Sequence, residues 1–250
     1  MSDHVIVGRD GPVMTIRMNR PDKKNALTRA MYATMAAALT ESDEDPEIRC
    51  RVIMGVPGAF TSGNDLADFL AISMGGEGGT EVYDFLMALA TARKPVLSAA
   101  DGIAVGIGTT IHFHCDLTFA TPRTVFHTPF VSLGLVPEAG SSLLGPEIMG
   151  RQRAFAMLGM SKGLPAAEAR EAGLIYAVVG EDDLETRTME AAAEIAAKPP
   201  EALKIARDLM LGDRTALVER IREEGKLFRE RLKSEEAKAA FMAFMNRKKA

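Results

Sequence analysis

Two stretches of this chain combine small residues, main-chain amides and a following helix in the way that a site for developing negative charge requires. The first is Gly58-Ala59-Phe60-Thr61-Ser62-Gly63-Asn64-Asp65, the second Asp101-Gly102-Ile103-Ala104-Val105-Gly106-Ile107-Gly108. Each is expected between a strand and a helix, where N–H groups face outward unpaired and the helix end adds partial positive charge. One donor from each loop would make an oxyanion hole. Either loop alone reads as turn punctuation; the pair, set side by side, suggests chemistry. Asp65 fits a helix-start role of the capping-box kind. His112-x-His114 with Cys115 and Asp116 resembles a metal set, but its spacing fails. Residues two apart on a helix face different ways, whereas helical ligands recur at i and i+4. Both histidines are expected in the core, and no metal site is expected. Glu138 follows Pro137 at an expected helix start, a place the helix dipole alone favours for a carboxylate.

The elements that would position these residues follow from periodicity. Val5 and Val7, a turn at Asp10-Gly11-Pro12, then Val13, Thr15 and Arg17 predict two strands. Thr28 can cap a helix carrying Met31, Met35 and Leu39. Strands are expected at 51–54, 95–100, 116–120, 124–126 and 175–179. Helices are expected at 65–73 and 81–91, after Gly106, and from Glu138 onwards, with a glycine-rich surface loop at 75–79. Repeated strand–helix units with glycine-rich crossovers predict an α/β fold with a largely parallel sheet. The methionines Met31, Met35, Met87 and Met157 read as core. The tail, 201–247, is almost all helix former. Its apolar stripes (Leu203, Ala206, Leu209 and Met210; Leu217, Ile221, Leu227, Phe228 and Leu232; Phe241, Phe244 and Met245) need a partner, with other subunits favoured over the main body. Pro199-Pro200 marks the expected boundary between a core, 1–198, and a helical oligomerisation region, 199–250.

Thirty basic and 34 acidic side chains among 250 residues argue against a dedicated nucleic-acid or anionic-membrane surface. The charge is uneven: residues 1–198 hold 17 basic and 25 acidic side chains, 199–250 hold 13 and 9. Cys50 and Cys115 sit in no metal or redox spacing and read as buried thiols of a reducing compartment. The first ten residues are too polar for a signal peptide, the final Arg247-Lys248-Lys249-Ala250 is no peroxisomal address, and no apolar run reaches the ~18 residues of a membrane span. A soluble cytoplasmic protein is expected.

Five motifs in order carry a resemblance to the crotonase (enoyl-CoA hydratase/isomerase) superfamily. They are Asn19-Arg20-Pro21 with Asn25-Ala26-Leu27, Ala59 to Leu66, Lys94-Pro95-Val96 running to Gly106, Cys115-Asp116, and Phe126-His127-Thr128-Pro129-Phe130 running into Gly134-Leu135-Val136-Pro137-Glu138. The resemblance covers most of the chain. It implies a spiral of ββα units, a C-terminal helical trimerisation region and assembly as a homotrimer or dimer of trimers. It implies an acyl-CoA thioester substrate whose enolate is held by two backbone N–H groups, with coenzyme A part of the substrate and no separate cofactor. At the matching positions the donors are Ser62 and Ile107. The family usually has glycine where Ile107 stands, and a side chain there narrows the acyl channel. The segment that lies along the coenzyme contains Lys23, Lys24 and Ala26, with lysines suited to phosphates; Gly63, Asn64, Asp65 and Phe130 complete the expected binding set, and His127 is expected beside it.

Family hydratases use two glutamates, and at the matching positions this chain has Thr110 and Phe130, neither of which transfers protons near neutral pH. Glu138 stands where the enoyl-CoA isomerase branch has its single acid/base. Phe130, Leu133, Leu135 and Val136 around it predict a raised pKa. The resemblance thus implies isomerisation of 3-enoyl-CoA to 2-enoyl-CoA in fatty-acid-type degradation. A hydratase or other enolate chemistry, and a non-catalytic acyl-CoA-binding protein, remain open as alternatives. The walls that set acyl length are expected to include Ile72, Met74 and the 75–79 loop.

Overall fold

The amino-terminal alternation folds as read. In the computed structural model, which describes residues 2–65 and 79–247 (side chains through 243), β1 (Val5–Asp10) and β2 (Val13–Met18) form an antiparallel hairpin. Helix α1 (Arg29–Glu44) follows, its first turn capped by the Thr28 hydroxyl, which accepts from Met31 N–H. From there the chain winds in a spiral. Each turn contributes one strand to a first wall and one to a second: β3 (Cys50–Met54) then β4 (Ala59–Thr61); β5 (Val96–Ala100) then β6 (Ile103–Val105); β7 (Leu117–Ala120) then β8 (Val125–His127). The first wall is a six-stranded sheet in the order β1-β2-β3-β5-β7-β10, parallel beyond the hairpin and ended by β10 (Ala177–Val178). The second has the order β4-β6-β8-β9, with β9 (Leu164–Pro165) antiparallel at its edge. The fold is thus α/β, a spiral of ββα units. The three-residue strands β4 and β6 lie inside the two glycine-rich stretches read above as loops; elements that short show no alternation.

Helices α2 (Glu81–Ala90), α3 (Ile107–Thr110), α4 (Ser141–Met149) and α5 (Arg151–Ala154) pack with α1 over the inner face of the walls. Beyond α6 (Ala166–Glu171), α7 (Leu184–Ala196) covers the outer face of the six-stranded sheet, burying Leu184, Ala192 and Ala196 against Val52, Leu97 and Phe119. Met31, Met35 and Met157 are buried in the core and Met87 packs against it. The expected helix after Asp65, with Ile72, Met74 and most of the 75–79 loop, lies outside the described residues.

The carboxy-terminal helices are α8 (Pro200–Leu211), α9 (Thr215–Leu232) and α10 (Glu235–Arg247). Of the two covers open to the tail's stripes, the less favoured one, the main body, takes a large part. Ile221 and Leu232 of α9 and Ala237 and Phe241 of α10 are buried in the chain's own core, with Leu217 and Phe228 packed against it. The stripe of α8 is open, with Ile205, Leu209 and Met210 exposed; the buried residue of that helix is Arg207, which pairs with Asp116 at 2.8 Å and donates to the Ala92 carbonyl.

Candidate active site

Strands β4 and β6 are parallel neighbours, so the segments leaving them lie side by side. Glycine makes the approach possible. A Cβ on Gly63, whose φ is +88°, would lie 2.9 Å from the Val105 carbonyl oxygen, and one on Gly108 would lie 2.5 Å from Thr61 Cγ2. Asn25, fully buried, pins the first segment: its amide donates to the carbonyls of Ala59 (2.9 Å) and Phe60 (3.0 Å), and its own carbonyl accepts from the Thr61 hydroxyl at 2.6 Å.

The N–H groups of the two segments then sort themselves. Ser62 N–H donates to the Lys24 carbonyl at 2.9 Å, Gly63 N–H to Thr61 Oγ1 at 3.0 Å and Asp65 N–H to the Leu27 carbonyl at 2.9 Å. The expected donor Ser62 is therefore already committed, in the pairing that holds the 23–27 loop beside it. Asn64 N–H meets no acceptor among the described residues, and its side-chain oxygen is fixed by the Tyr32 hydroxyl at 2.6 Å. In the second segment Gly106 N–H donates to the His127 carbonyl, while Ile107 N–H, opening α3, meets no acceptor among the described residues. The Ile107 side chain is wholly buried in the core. It does not narrow the channel, as its type suggested; Gly106 lines the cavity in its place.

That cavity, about 1110 Å³, runs between a charged mouth and an apolar end. At the mouth are Lys23 and Lys24, both exposed, with Asp22, Ala26 and Arg20, whose guanidinium pairs with Asp65 at 2.5 Å and donates to the Ala26 carbonyl. Asp65 thus has a partner not foreseen; the helix start it was expected to serve lies beyond the described residues. Ser62, Gly63, Asn64 and His127 line the middle. His127 is held through Nε2 at 3.0 Å from the Ser161 carbonyl. Phe130, Leu133, Leu135 and Phe228 close the apolar end, Phe130 meeting Phe228 edge to face at 6.4 Å.

Glu138 is buried, 8% exposed, and is not among the side chains that line this cavity. Its Oε1 accepts the Thr110 hydroxyl at 2.5 Å. Thr110 closes the short helix that Ile107 opens, roughly 4.5 Å of rise further along it, so the carboxyl is held at the far end of that helix from the Ile107 amide. Burial pushes Glu138 up to about 8; the Thr110 hydrogen bond opposes this and the nearby Glu224 adds to it. Glu138 does not take the helix-start role its sequence position suggested. Helix α4 begins at Ser141, and the carboxylate at its N-terminus is Glu224 of α9, which accepts from Gly140 N–H at 2.6 Å and Ser142 N–H at 3.0 Å. Sequence reasoning missed Glu224, one charge among many on an amphipathic helix; an acid amid Leu217, Ile221 and Phe228, on the apolar side, was the available signal.

The histidines part company as the spacing required. His112 lies between Phe60 and Phe126, its Nδ1 2.9 Å from the Ser98 hydroxyl, and burial pushes it down to about 3. His114, pushed down to about 4 by burial, is neutral and donates from Nε2 to the Ala139 carbonyl at 2.7 Å. No group of three metal-ligating side chains occurs among the described residues. Burial pushes the thiols of Cys50 and Cys115 up to about 12. No helix among the described residues is long and apolar enough to cross a membrane.

The two-walled spiral thus brings two amides, unpaired among the described residues, to adjacent strand ends beside a long cavity with a basic mouth. The chain belongs to the enoyl-CoA hydratase/isomerase family, whose model matches residues 8–250. It is 34% identical to the rat protein named enoyl-CoA delta isomerase 2 over 253 residues, which cover 99% of this chain and 64% of that one; the chain thus spans somewhat under two thirds of that relative's length. Among solved structures it resembles OdaA of Pseudomonas aeruginosa, with a TM-score of 0.91, 39% identity, and 98% and 99% of the two chains covered. It also resembles an enoyl-CoA hydratase from Mycobacterium avium subsp. paratuberculosis, with a TM-score of 0.84, 29% identity, and coverage of 98% and 96%. Family members thus carry both isomerase and hydratase names.

Proposed function

We propose that this protein isomerises 3-enoyl-CoA thioesters to 2-enoyl-CoA, with Glu138 as the one acid/base. The thioester carbonyl oxygen is received by the N–H groups of Asn64 and Ile107. Glu138 removes a proton from C2, the electrons pass into the dienolate, and the same carboxyl returns the proton at C4, leaving the double bond conjugated at C2. No water is consumed. Lys23, Lys24 and Arg20 receive the coenzyme phosphates at the mouth. Ala26, Ser62, Gly63 and Asp65 flank the thioester arm, and Phe130 and Phe228 bound the acyl group.

The observation that carries this reading is the pairing of the buried Glu138 carboxyl with Thr110, on the helix whose first amide, Ile107, meets no acceptor among the described residues. Thr110 and Phe130 stand where the resemblance places the hydratase glutamates, so a water-activating pair is missing from those two positions. A proton held near neutral pH by burial matches an acid/base that both takes and gives. The exposed face of α8 supports assembly as a homotrimer or dimer of trimers, since Ile205, Leu209 and Met210 need a cover.

The test offers the protein a 3-enoyl-CoA and, separately, a 2-enoyl-CoA in deuterated buffer. The expected result is conversion of the first to its conjugated isomer without water addition to the second. Hydration of the 2-enoyl substrate at a comparable rate overturns the isomerase reading.

A further inference from the structure

The segment that carries Glu138 is unusual in its backbone. Ala139 has a φ of +60° and Gly140 of +70°, two successive left-handed residues, the first with a side chain that disfavours that region. Such a turn persists only where its surroundings over-determine it. Here three contacts do so. His114 Nε2 donates to the Ala139 carbonyl at 2.7 Å. The Glu224 carboxylate accepts from Gly140 and Ser142 N–H at 2.6 and 3.0 Å. Leu217 and Ile221 of the same helix press on Gly140 so closely that a Cβ there would lie 2.4 Å from Leu217 Cδ1. Arg220, one turn before Glu224, donates to Ser142 Oγ at 3.0 Å. Glu224 is itself 4% exposed, and a buried carboxylate held by two amides is a costly device if its only task is to cap a nine-residue helix.

We propose that Glu224 is a positioning residue for proton transfer: by gripping the amides on either side of Ser141 it sets the left-handed turn that aims the Glu138 carboxyl at the substrate. The proposal rests on the reading of Glu138 as the acid/base and extends it to a residue on the carboxy-terminal helix. The charged and titratable groups around the turn are Glu224 itself, Arg220 beside it, and His114, which Arg214 faces in turn. Because the nearby Glu224 charge adds to the rise of Glu138, its removal lowers the pH at which Glu138 releases its proton as well as loosening its aim.

The test compares Glu224→Gln, Glu224→Asp, Glu138→Gln and the exposed same-helix control Glu230→Gln in isomerisation of a 3-enoyl-CoA across pH. For Glu224→Gln the expected result is KM within about twofold of wild type, kcat down by about 10–100-fold as for a misplacement near 1 Å, and the midpoint of the pH–rate profile moved to lower pH. Glu224→Asp, which keeps the charge and shortens the reach, loses kcat while keeping the midpoint, and stands in if the glutamine variant does not fold. Glu230→Gln behaves as wild type. A Glu224 variant with wild-type kcat and midpoint and only a lowered Tm overturns the proposal and leaves a purely structural role. If Glu138→Gln retains turnover, the acid/base reading itself falls, and this proposal with it. If Glu138→Gln is inactive while both Glu224 variants are unimpaired, this proposal alone falls.

Discussion

Replacing Glu138 by glutamine separates two consequences of burying a carboxyl. Glutamine keeps the shape and still accepts the Thr110 hydroxyl, but it neither takes nor gives a proton. Glu138 holds its proton up to about pH 8 against an ordinary value of 4.5. Between those values the unfolded chain has released the proton and the native one has not, so the native protein binds more protons and its stability falls as pH rises. This contribution is fully present below 4.5 and is lost as pH climbs through about 8. Glutamine has no such dependence. The stability of Glu138→Gln relative to wild type should therefore grow by about 1.4 kcal/mol per pH unit, on the order of 3 kcal/mol between pH 5 and 7.5. For a chain of this size that is a rise in Tm, relative to wild type, of roughly 6–12 °C over the same range. Turnover should fall by about 10²–10⁴, the usual worth of a positioned acid/base. Urea or thermal unfolding of both proteins at several pH values measures the first effect and the 3-enoyl-CoA assay the second. A stability difference that stays flat with pH, or shrinks, would refute the claim that Glu138 is buried as the neutral acid.

Other expectations concern the mouth, the scaffold and the assembly. For wild type, kcat/KM for a 3-enoyl-CoA should rise with pH and level off near the Glu138 value of about 8, as a pH–rate profile will show. Lys23→Glu with Lys24→Glu should raise KM severalfold for the CoA thioester, less so at high salt, with little change in kcat; titration at two ionic strengths checks this. Burial works to raise Asp101, but the Arg123 guanidinium, Gly58 N–H and Thr121 hydroxyl outweigh it and hold it down to about 2 from 3.8. Its stabilisation is therefore present above about pH 3.8 and lost as pH falls through about 2; Asp101→Asn should cost on the order of 1–2 kcal/mol at pH 7, read by urea unfolding, with Arg123 screened by solvent. Leu209→Glu with Met210→Glu should shift the protein to smaller species by light scattering while leaving its helix content unchanged.

The parts of the fold written in local periodicity were readable before any coordinates. The β1–β2 hairpin, the Thr28-capped helix and the buried strands 50–54, 96–100 and 117–120 all follow from alternation, capping and short apolar runs. In the second wall the strand expected at 124–126 appears as β8, but β4 and β6, three residues each within glycine-rich stretches, were not readable, and their pairing is a long-range fact. At the site, residue type pointed to the two segments that meet, but which amide lacks a partner depends on where the Lys24 carbonyl lies: it takes the Ser62 N–H, and among the described residues the Asn64 N–H is left unpaired. Burial of Glu138 was foreseeable from its apolar neighbours. The hand that steadies it was not, since Glu224 arrives from a distant helix whose charges read as a solvated face.

That distance has a consequence during synthesis. Glu224 is 84 residues beyond Gly140 in the chain. At a translation rate of about 5–20 residues per second, it is made roughly 4–17 s after the turn it holds. Throughout that interval the spiral can close and the two amide-bearing loops can meet, while the 138–142 turn waits with unsatisfied N–H groups. On the proposed mechanism the nascent chain brings its two amide donors together before the Glu138 turn is held, and the last helices to be made complete both the cavity wall and the proton shuttle.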